Sequence, residues 1–281
     1  MSLKFNYHCH TVLSDGKSIL SEYIDYAKKT GMTAIGFSEH CPVPFYSSWN
    51  MKKDDVEGYI NTINDEKIKN GNNLEIFCGM EIDYVPEYCN EILELSQIEK
   101  LDYSIGSVHY LGFFDDTHAW NIDDSFEKFQ EGVQKIYKGD GEKVYKTFYL
   151  RTIEMIEKMK PTIVGHIDKI RMFNNGNYFF DQESKEYKSI IQEVIKYLKK
   201  NDTIVELNTR GTYKHPLKYW YPDIWIIKEL NKNGIRMMIN SDCHKTDEII
   251  KNFEDALALL RSVDVKYIWY LSHGKWIDYK I

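Results

Sequence analysis

Two histidines stand two residues apart in NYHCHTVLSDG, at positions 8 and 10. Along an extended strand successive side chains point to opposite faces, so His8 and His10 share one face and Cys9 turns to the other. The same alternation recurs in SDCH, where Asp242 and His244 converge while Cys243 turns back into the packing. Imidazole and carboxylate are ligands for zinc, manganese and iron, and several must meet within a few ångströms to hold such an ion. Four further candidates sit in short apolar runs: His40 ends TAIGFSEH, Glu81 lies in LEIFCGMEI, His109 ends DYSIGSVH and His166 lies in PTIVGHID. A carboxylate inside a strand, such as Glu81, needs a partner; Asp83 shares its face and is its rival. Arg171 and Arg210 end two of these runs, and a planar guanidinium matches two oxygens of a phosphate. Asp168 could set the tautomer of His166 or help a proton reach a leaving alcohol. His118 and His215 fall in loops, from which they could reach a substrate, and His273 in the tail reads as structural.

These residues need elements to position them. Short β-rich runs alternate with helical patterns along the whole chain. A helix is predicted from about Ser18, where Ile19, Leu20, Tyr23, Ile24 and Ala27 recur at helical spacing and Gly31 supplies the stop. Another covers YPDIWIIKELNKNG, with Pro222 in its first turn and Gly234 at its end, and a third spans about Asp247–Ser262. The tail at about 264–281, with VKYIWYLSHGKWIDYKI, reads as a strand pair, either an interface or a seal for the bottom of the fold. About seven strand–helix units imply a parallel sheet closed into an α/β barrel. Six of the nine histidines then fall at C-terminal strand ends, where active sites of such barrels are assembled. A metal site explains that clustering better than buried imidazoles without partners.

Composition narrows the partners. The 281 residues are 43% hydrophobic and 14% aromatic, enough for a folded core in a single domain. A net charge of −7 without a basic run argues against nucleic acid. No signal peptide or membrane span is predicted, and five cysteines without a C-x-x-C pair suggest reduced thiols in the cytoplasm. An acidic protein would repel a phosphorylated small molecule unless its site carried positive charge, which bound metals would supply.

The H-x-H strand, SEH, G-x-E, GSVH, GHID and SDCH, in this order, resemble the polymerase-and-histidinol-phosphatase (PHP) superfamily over about residues 4–250. Within it, GMEIDYVPE, LDYSIGSVHYL and IVGHIDKIRMF look like the monofunctional histidinol-phosphate phosphatases. The resemblance implies a distorted (β/α)7 barrel holding two to three divalent ions (zinc, manganese or iron). His8, His10, Glu81 and Asp242 would take the first ion. Glu81, as a bridge, would take the second with His109 and His166, and His40 with His244 the third. Where some members carry a further histidine this chain has Ser14-Asp15-Gly16, so Asp15 either ligates or orients His10 from behind. Arg171 and Arg210 would bind phosphate, and Asp242, His244 and Asp168 count as catalytic.

The activity so implied is hydrolysis of L-histidinol phosphate, in histidine biosynthesis, by metal-held hydroxide attacking phosphorus in line. The segments CPVPFYSSWNMKKDDV and YLGFFDDTHAWNIDDS mix aromatics with acids and could receive an imidazole and an ammonium. Three other readings stay open: a PHP phosphoesterase for another phosphorylated metabolite or phosphotyrosine, a polymerase-appended module, and metal-assisted amide hydrolysis or deamination. The missing basic face argues against the second of these, and the two arginines argue against the third.

Overall fold

In a computed structural model, which describes residues 4–281, short parallel strands alternate with helices. The main-sheet strands are β1 (Phe5–Asn6), β2 (Ala34–His40), β3 (Glu75–Asp83), β4 (Ile105–Ser107), β7 (Ile163–Val164), β8 (Ile204–Asn208) and β9 (Met237–Asn240). Each is buried nearly throughout, as a sheet covered by helices on one face and filled by side chains on the other requires. Among the described residues they form one seven-stranded sheet in the order β1-β2-β3-β4-β7-β8-β9, every pairing parallel. The two edges meet through a parallel bridge between Cys9 and Cys243, where the His10 N–H donates to the Cys243 carbonyl at 2.9 Å and the Cys243 N–H to the His8 carbonyl at 3.0 Å. The barrel therefore closes through the two motifs that carry His8, His10, Asp242 and His244. Both bridging cysteines are fully buried, pointing away from the imidazoles.

Helices α1 (Leu20–Lys29), α2 (Val56–Asn70), α3 (Cys89–Ser96), α5 (Gly141–Lys158), α6 (Lys185–Asn201), α8 (Ile224–Lys232) and α9 (Phe253–Ser262) connect successive strands. A two-stranded flap, β5 (Tyr110–Phe113) with β6 (Ala119–Asn121), and the helix α4 (Phe126–Lys135) follow His109; the short α7 (Arg210–Lys214) follows β8. No helix of the described residues is long and apolar enough to cross a membrane.

The barrel interior is plugged by a tyrosine. The Tyr103 hydroxyl donates to the Tyr7 carbonyl at 2.6 Å and the Phe37 carbonyl at 3.0 Å. Its ring lies where a side chain on Gly36 or Gly79 would go: a Cβ at Gly79 would stand 2.2 Å from the ring. The strand pair of the tail, β10 (Tyr267–Ser272) and β11 (Lys275–Lys280), covers the N-terminal end. Phe5 stacks on Tyr270 at 4.8 Å, and the Tyr7 hydroxyl donates to the Leu271 carbonyl at 2.6 Å. The tail therefore seals this end of the barrel.

Two elements are shorter than their sequence patterns suggest. KFNYHCH forms a ladder only at Phe5–Asn6, because the Tyr103 hydroxyl sits between the Tyr7 and Phe37 carbonyls. The chain meets β2 again where the Ser38 N–H donates to the Cys9 carbonyl at 2.9 Å, and there it also bridges Cys243. The last helix begins at Phe253 rather than near Asp247. Glu248 is instead a buried acceptor, taking the His244 N–H at 3.1 Å and pairing with Lys214 at 2.6 Å, so this segment braces His244.

Candidate metal centre

All six strand-end histidines are buried, and all reach the C-terminal end of the barrel. Glu81, on β3, is the common neighbour of five of them. Its Oε2 lies 3.2 Å from His8 Nε2, 3.4 Å from His10 Nε2 and 3.0 Å from His40 Nδ1. Its Oε1 lies 2.9 Å from His166 Nε2 and 3.8 Å from His109 Nε2. Asp242, held at φ +52°, puts Oδ1 within 3.5 Å of His10 Nε2, 3.6 Å of His244 Nδ1 and 3.8 Å of His8 Nε2. Such a left-handed conformation at a residue other than glycine persists where its surroundings hold it, and it clusters at functional sites. Asp15 pairs with His244 Nε2 at 3.0 Å and lies 3.6 Å from His40 Nε2.

The donor set fits divalent ions. Several buried donor atoms, among them His8 Nε2, both His10 ring nitrogens, His40 Nδ1, Asp15 Oδ1 and Glu81 Oε2, have no hydrogen-bond partner. Buried polar groups ordinarily have one. Three groups bring their donor atoms within 4.8 Å of one another: His8 with His10 and Asp242; His40 with Glu81 and His109; and His10 with Asp15, His40 and His244. Asp15 thus stands in the third group, facing two histidines rather than lying behind His10. His166 belongs to none of the three groups, but its Nε2 lies 3.2 Å from His109 Nε2, beside Glu81.

A second ring of carboxylates orients the imidazoles. His8 Nδ1 meets Glu206 Oε2 at 2.9 Å, and His109 Nδ1 meets Asp83 Oδ1 at 2.9 Å. A proton held on Nδ1 by a carboxylate leaves the Nε2 lone pair for the centre. Asp83, the rival of Glu81 on β3, therefore supports His109 while Glu81 faces the cluster. Burial alone would lower His8, but Glu206, Asp242 and Glu81 outweigh it and hold its pKa well above the ordinary value. For His109 burial again lowers, and Asp83 prevails, raising the pKa to about 9. His10 moves well down, through burial and the neighbouring His40 and His244. Burial would raise Glu81, yet His8, His40 and His109 hold it well below the carboxylate range.

A cavity of about 630 Å³ opens above the cluster. Trp49, Tyr110, Phe114 and Trp120 line it from the two aromatic segments, and His118 and His215 reach its wall. Trp49 meets His40 edge-on at 4.4 Å and stacks on Tyr110 at 5.5 Å. His273 lies at the opposite end of the barrel, paired with Glu75 at 2.9 Å.

The two predicted phosphate arginines part company. Arg210 lines the cavity and donates from Nη1 to the Asp242 carbonyl at 2.8 Å and to His244 Nδ1 at 2.7 Å. Arg171 does not line it, contrary to expectation. Its Nε donates to Asp168 at 2.6 Å, Nη2 to the Trp220 carbonyl, and Nη1 lies 3.3 Å from Asp223, while Tyr219 covers its guanidinium at 4.8 Å. Its donors are consumed by structure. Asp168 is corrected with it: the carboxylate accepts from Arg171 and from the Asp223 N–H at 2.8 Å and makes no hydrogen bond to His166. The 3-10 turn at Lys169–Arg171 turns both away from the cavity and presents Lys169 instead.

Sequence reasoning missed Glu206, Lys169 and Asp123. Glu206, in IVELN, carries the same signal as Glu81, a carboxylate within a wholly buried strand. It accepts from the His166 N–H at 2.9 Å, Asn208 at 2.8 Å and Asn240 at 2.9 Å.

Comparison with known proteins agrees with this geometry. The PHP domain family profile matches residues 6–210. A histidinol-phosphatase of Bacillus subtilis is 26% identical over 259 residues, covering 86% of this chain and 94% of its own. The hisK protein of Listeria monocytogenes, assigned to the histidinol phosphatases, superposes with a TM-score of 0.78 at 23% identity, over 90% of this chain and 99% of that one. The Lactococcus lactis histidinol phosphate phosphatase, solved with zinc, L-histidinol and phosphate, superposes with a TM-score of 0.71 at 18% identity, over 98% of this chain and all of that one. A matched span of that length, together with the ordered motifs that meet at one barrel mouth, places this chain in the PHP domain family.

Proposed function

We propose that the protein is a metal-dependent phosphomonoesterase that hydrolyses L-histidinol phosphate to L-histidinol and phosphate. The observation that carries this reading is the convergence of six buried histidines with Asp15, Glu81 and Asp242, several of their donor atoms unpartnered, beside Arg210. The zinc, L-histidinol and phosphate bound by the Lactococcus lactis relative support the substrate.

In this reading His8, His10, Glu81 and Asp242 would hold one ion, Glu81, His109 and His166 a second, and Asp15, His40 and His244 a third. Zinc, manganese or iron in these places would supply Lewis acidity toward phosphoryl oxygens and a nucleophilic water oxygen near neutral pH. The chain's own residues do the rest. Glu206 and Asp83 fix the ring orientations of His8 and His109, so no reorganisation is needed when substrate arrives. Arg210, held by the Asp242 carbonyl, presents its remaining N–H groups to the phosphate. The Trp49–Tyr110 stack walls the cluster and offers flat faces to an imidazole while excluding water.

Comparing kcat/KM for L-histidinol phosphate with that for a generic aryl phosphate tests the substrate. A preference of about a hundredfold or more for L-histidinol phosphate is expected, because a site built to pair polar groups strongly rejects analogues lacking them. Turnover of the aryl ester alone would keep the phosphoesterase chemistry and remove the substrate assignment.

A further inference from the structure

Lys128, Lys169, Arg210 and Lys214 are cationic side chains of the cavity wall. Lys128 and Lys214 are 55% and 40% exposed and pair with Glu131 and with the buried Glu248. Lys169 differs: its side chain is only 11% exposed, and its Nζ lies 2.6 Å from Asp123 Oδ2. Its backbone N–H donates to the His166 carbonyl at 2.9 Å, which anchors the ammonium to the strand end that carries a candidate ligand. Asp123 follows β6, so the pair also ties the second aromatic segment to the mouth of β7.

A lysine ammonium has three donors, and Asp123 occupies one of them. A buried charge pair is costly to keep where packing alone would serve, and this one faces the cavity rather than the core. Arg210 is held against Asp242 and His244, whereas Lys169 hangs from the strand end that carries His166. With Arg171 spent on structure, Lys169 is the most buried of these cations, and Arg210 the next.

We propose that Lys169 is a phosphate-binding residue, held at the cavity wall by Asp123 and gripping the phosphoryl group together with Arg210. This rests on the phosphomonoesterase reading above and assigns one of its binding contacts. Asp123 is its counter-ion when the site is free, and the incoming phosphate takes up the two remaining donors.

The test is calorimetric binding of inorganic phosphate to the metal-loaded protein, with metal content measured on each variant. Lys169→Met is expected to weaken phosphate binding about 10- to 100-fold, the worth of a hydrogen bond to a charged group, with metal content unchanged. Lys169→Arg keeps the charge and stays within about fivefold of wild type. Asp123→Asn removes the competing anion and tightens phosphate binding several-fold, a change opposite in sign to that of Lys169→Met. A purely structural pair would move both variants in the same direction. Phosphate affinity in Lys169→Met within about twofold of wild type overturns the proposal, whatever the turnover. Should Lys169→Met fail to fold, Asp123→Asn decides, and unchanged or weaker binding overturns the proposal. Weakened phosphate binding in Lys169→Met, beside a wild type inert toward phosphoesters, would sink the phosphomonoesterase reading and leave the Lys169 site standing.

Discussion

At the scale of single residues, the site rests on carboxylates that point imidazoles rather than on the imidazoles alone. Glu206 accepts from His8, the His166 N–H, Asn208 and Asn240, so it fixes two strand ends at once. Glu206→Gln should lower metal affinity about 10- to 100-fold, the usual cost of losing such a support, as read by metal retained after dialysis against a graded chelator. Retention equal to wild type would remove the orienting role. The two arginines should separate cleanly. Arg171→Met breaks a buried pair and should cost about 3 kcal/mol of stability in denaturant unfolding, with phosphate binding intact. Arg210→Met should do the reverse, weakening phosphate binding while moving stability little. Most of the ligand candidates were legible because a histidine or carboxylate ending an apolar run has few uses. Arg171 and Asp168 misled for the same reason: spacing placed them at a strand end but not on a face. A one-turn 3-10 segment rotates the chain there and sends Lys169 into the cavity.

At the scale of elements, short strands must end where their ligands are needed, and small residues set how they pack. Gly79 stands two residues before Glu81 on β3, against the Tyr103 ring. A side chain there would push either the ring or the strand, so Gly79→Ala should destabilise the fold by about 1–3 kcal/mol, and shift Glu81. Thermal unfolding with a metal-binding assay checks both effects; a variant with wild-type stability would show that the barrel interior is looser than described. The alternation of strand and helix was readable from apolar runs and turn residues. The true extent of β1 and α9 was not, because both depend on distant partners. Cys9 bridges Cys243, and Glu248, in a 3-10 turn at Thr246–Glu248, answers His244 and Lys214 before the α-helix begins. Local periodicity carries no trace of such contacts.

At the scale of the whole molecule, the barrel closes through its own site. The Cys9–Cys243 bridge joins first and last strands between two pairs of candidate ligands, so ligand geometry and closure are coupled. Divalent metal should therefore raise the melting temperature, with the increase growing with free-metal concentration as for any ligand that binds only the folded state. Uptake should also expel protons. Metal ligands must be deprotonated, yet His109, held at a pKa of about 9 by Asp83, keeps its proton at pH 7 in the metal-free protein. Affinity should accordingly rise from pH 7 toward 9, and binding heats should depend on the buffer's ionisation enthalpy; buffer-independent heats would contradict this.

The central claim is that this cluster binds metal to hydrolyse a phosphomonoester. Its most direct test is phosphate release from L-histidinol phosphate by zinc- or manganese-loaded protein, before and after chelation, beside His8→Ala. The account predicts steady release that stops on chelation, returns with metal and falls at least about a hundredfold in the variant. Release that survives both chelation and the loss of His8 would contradict it.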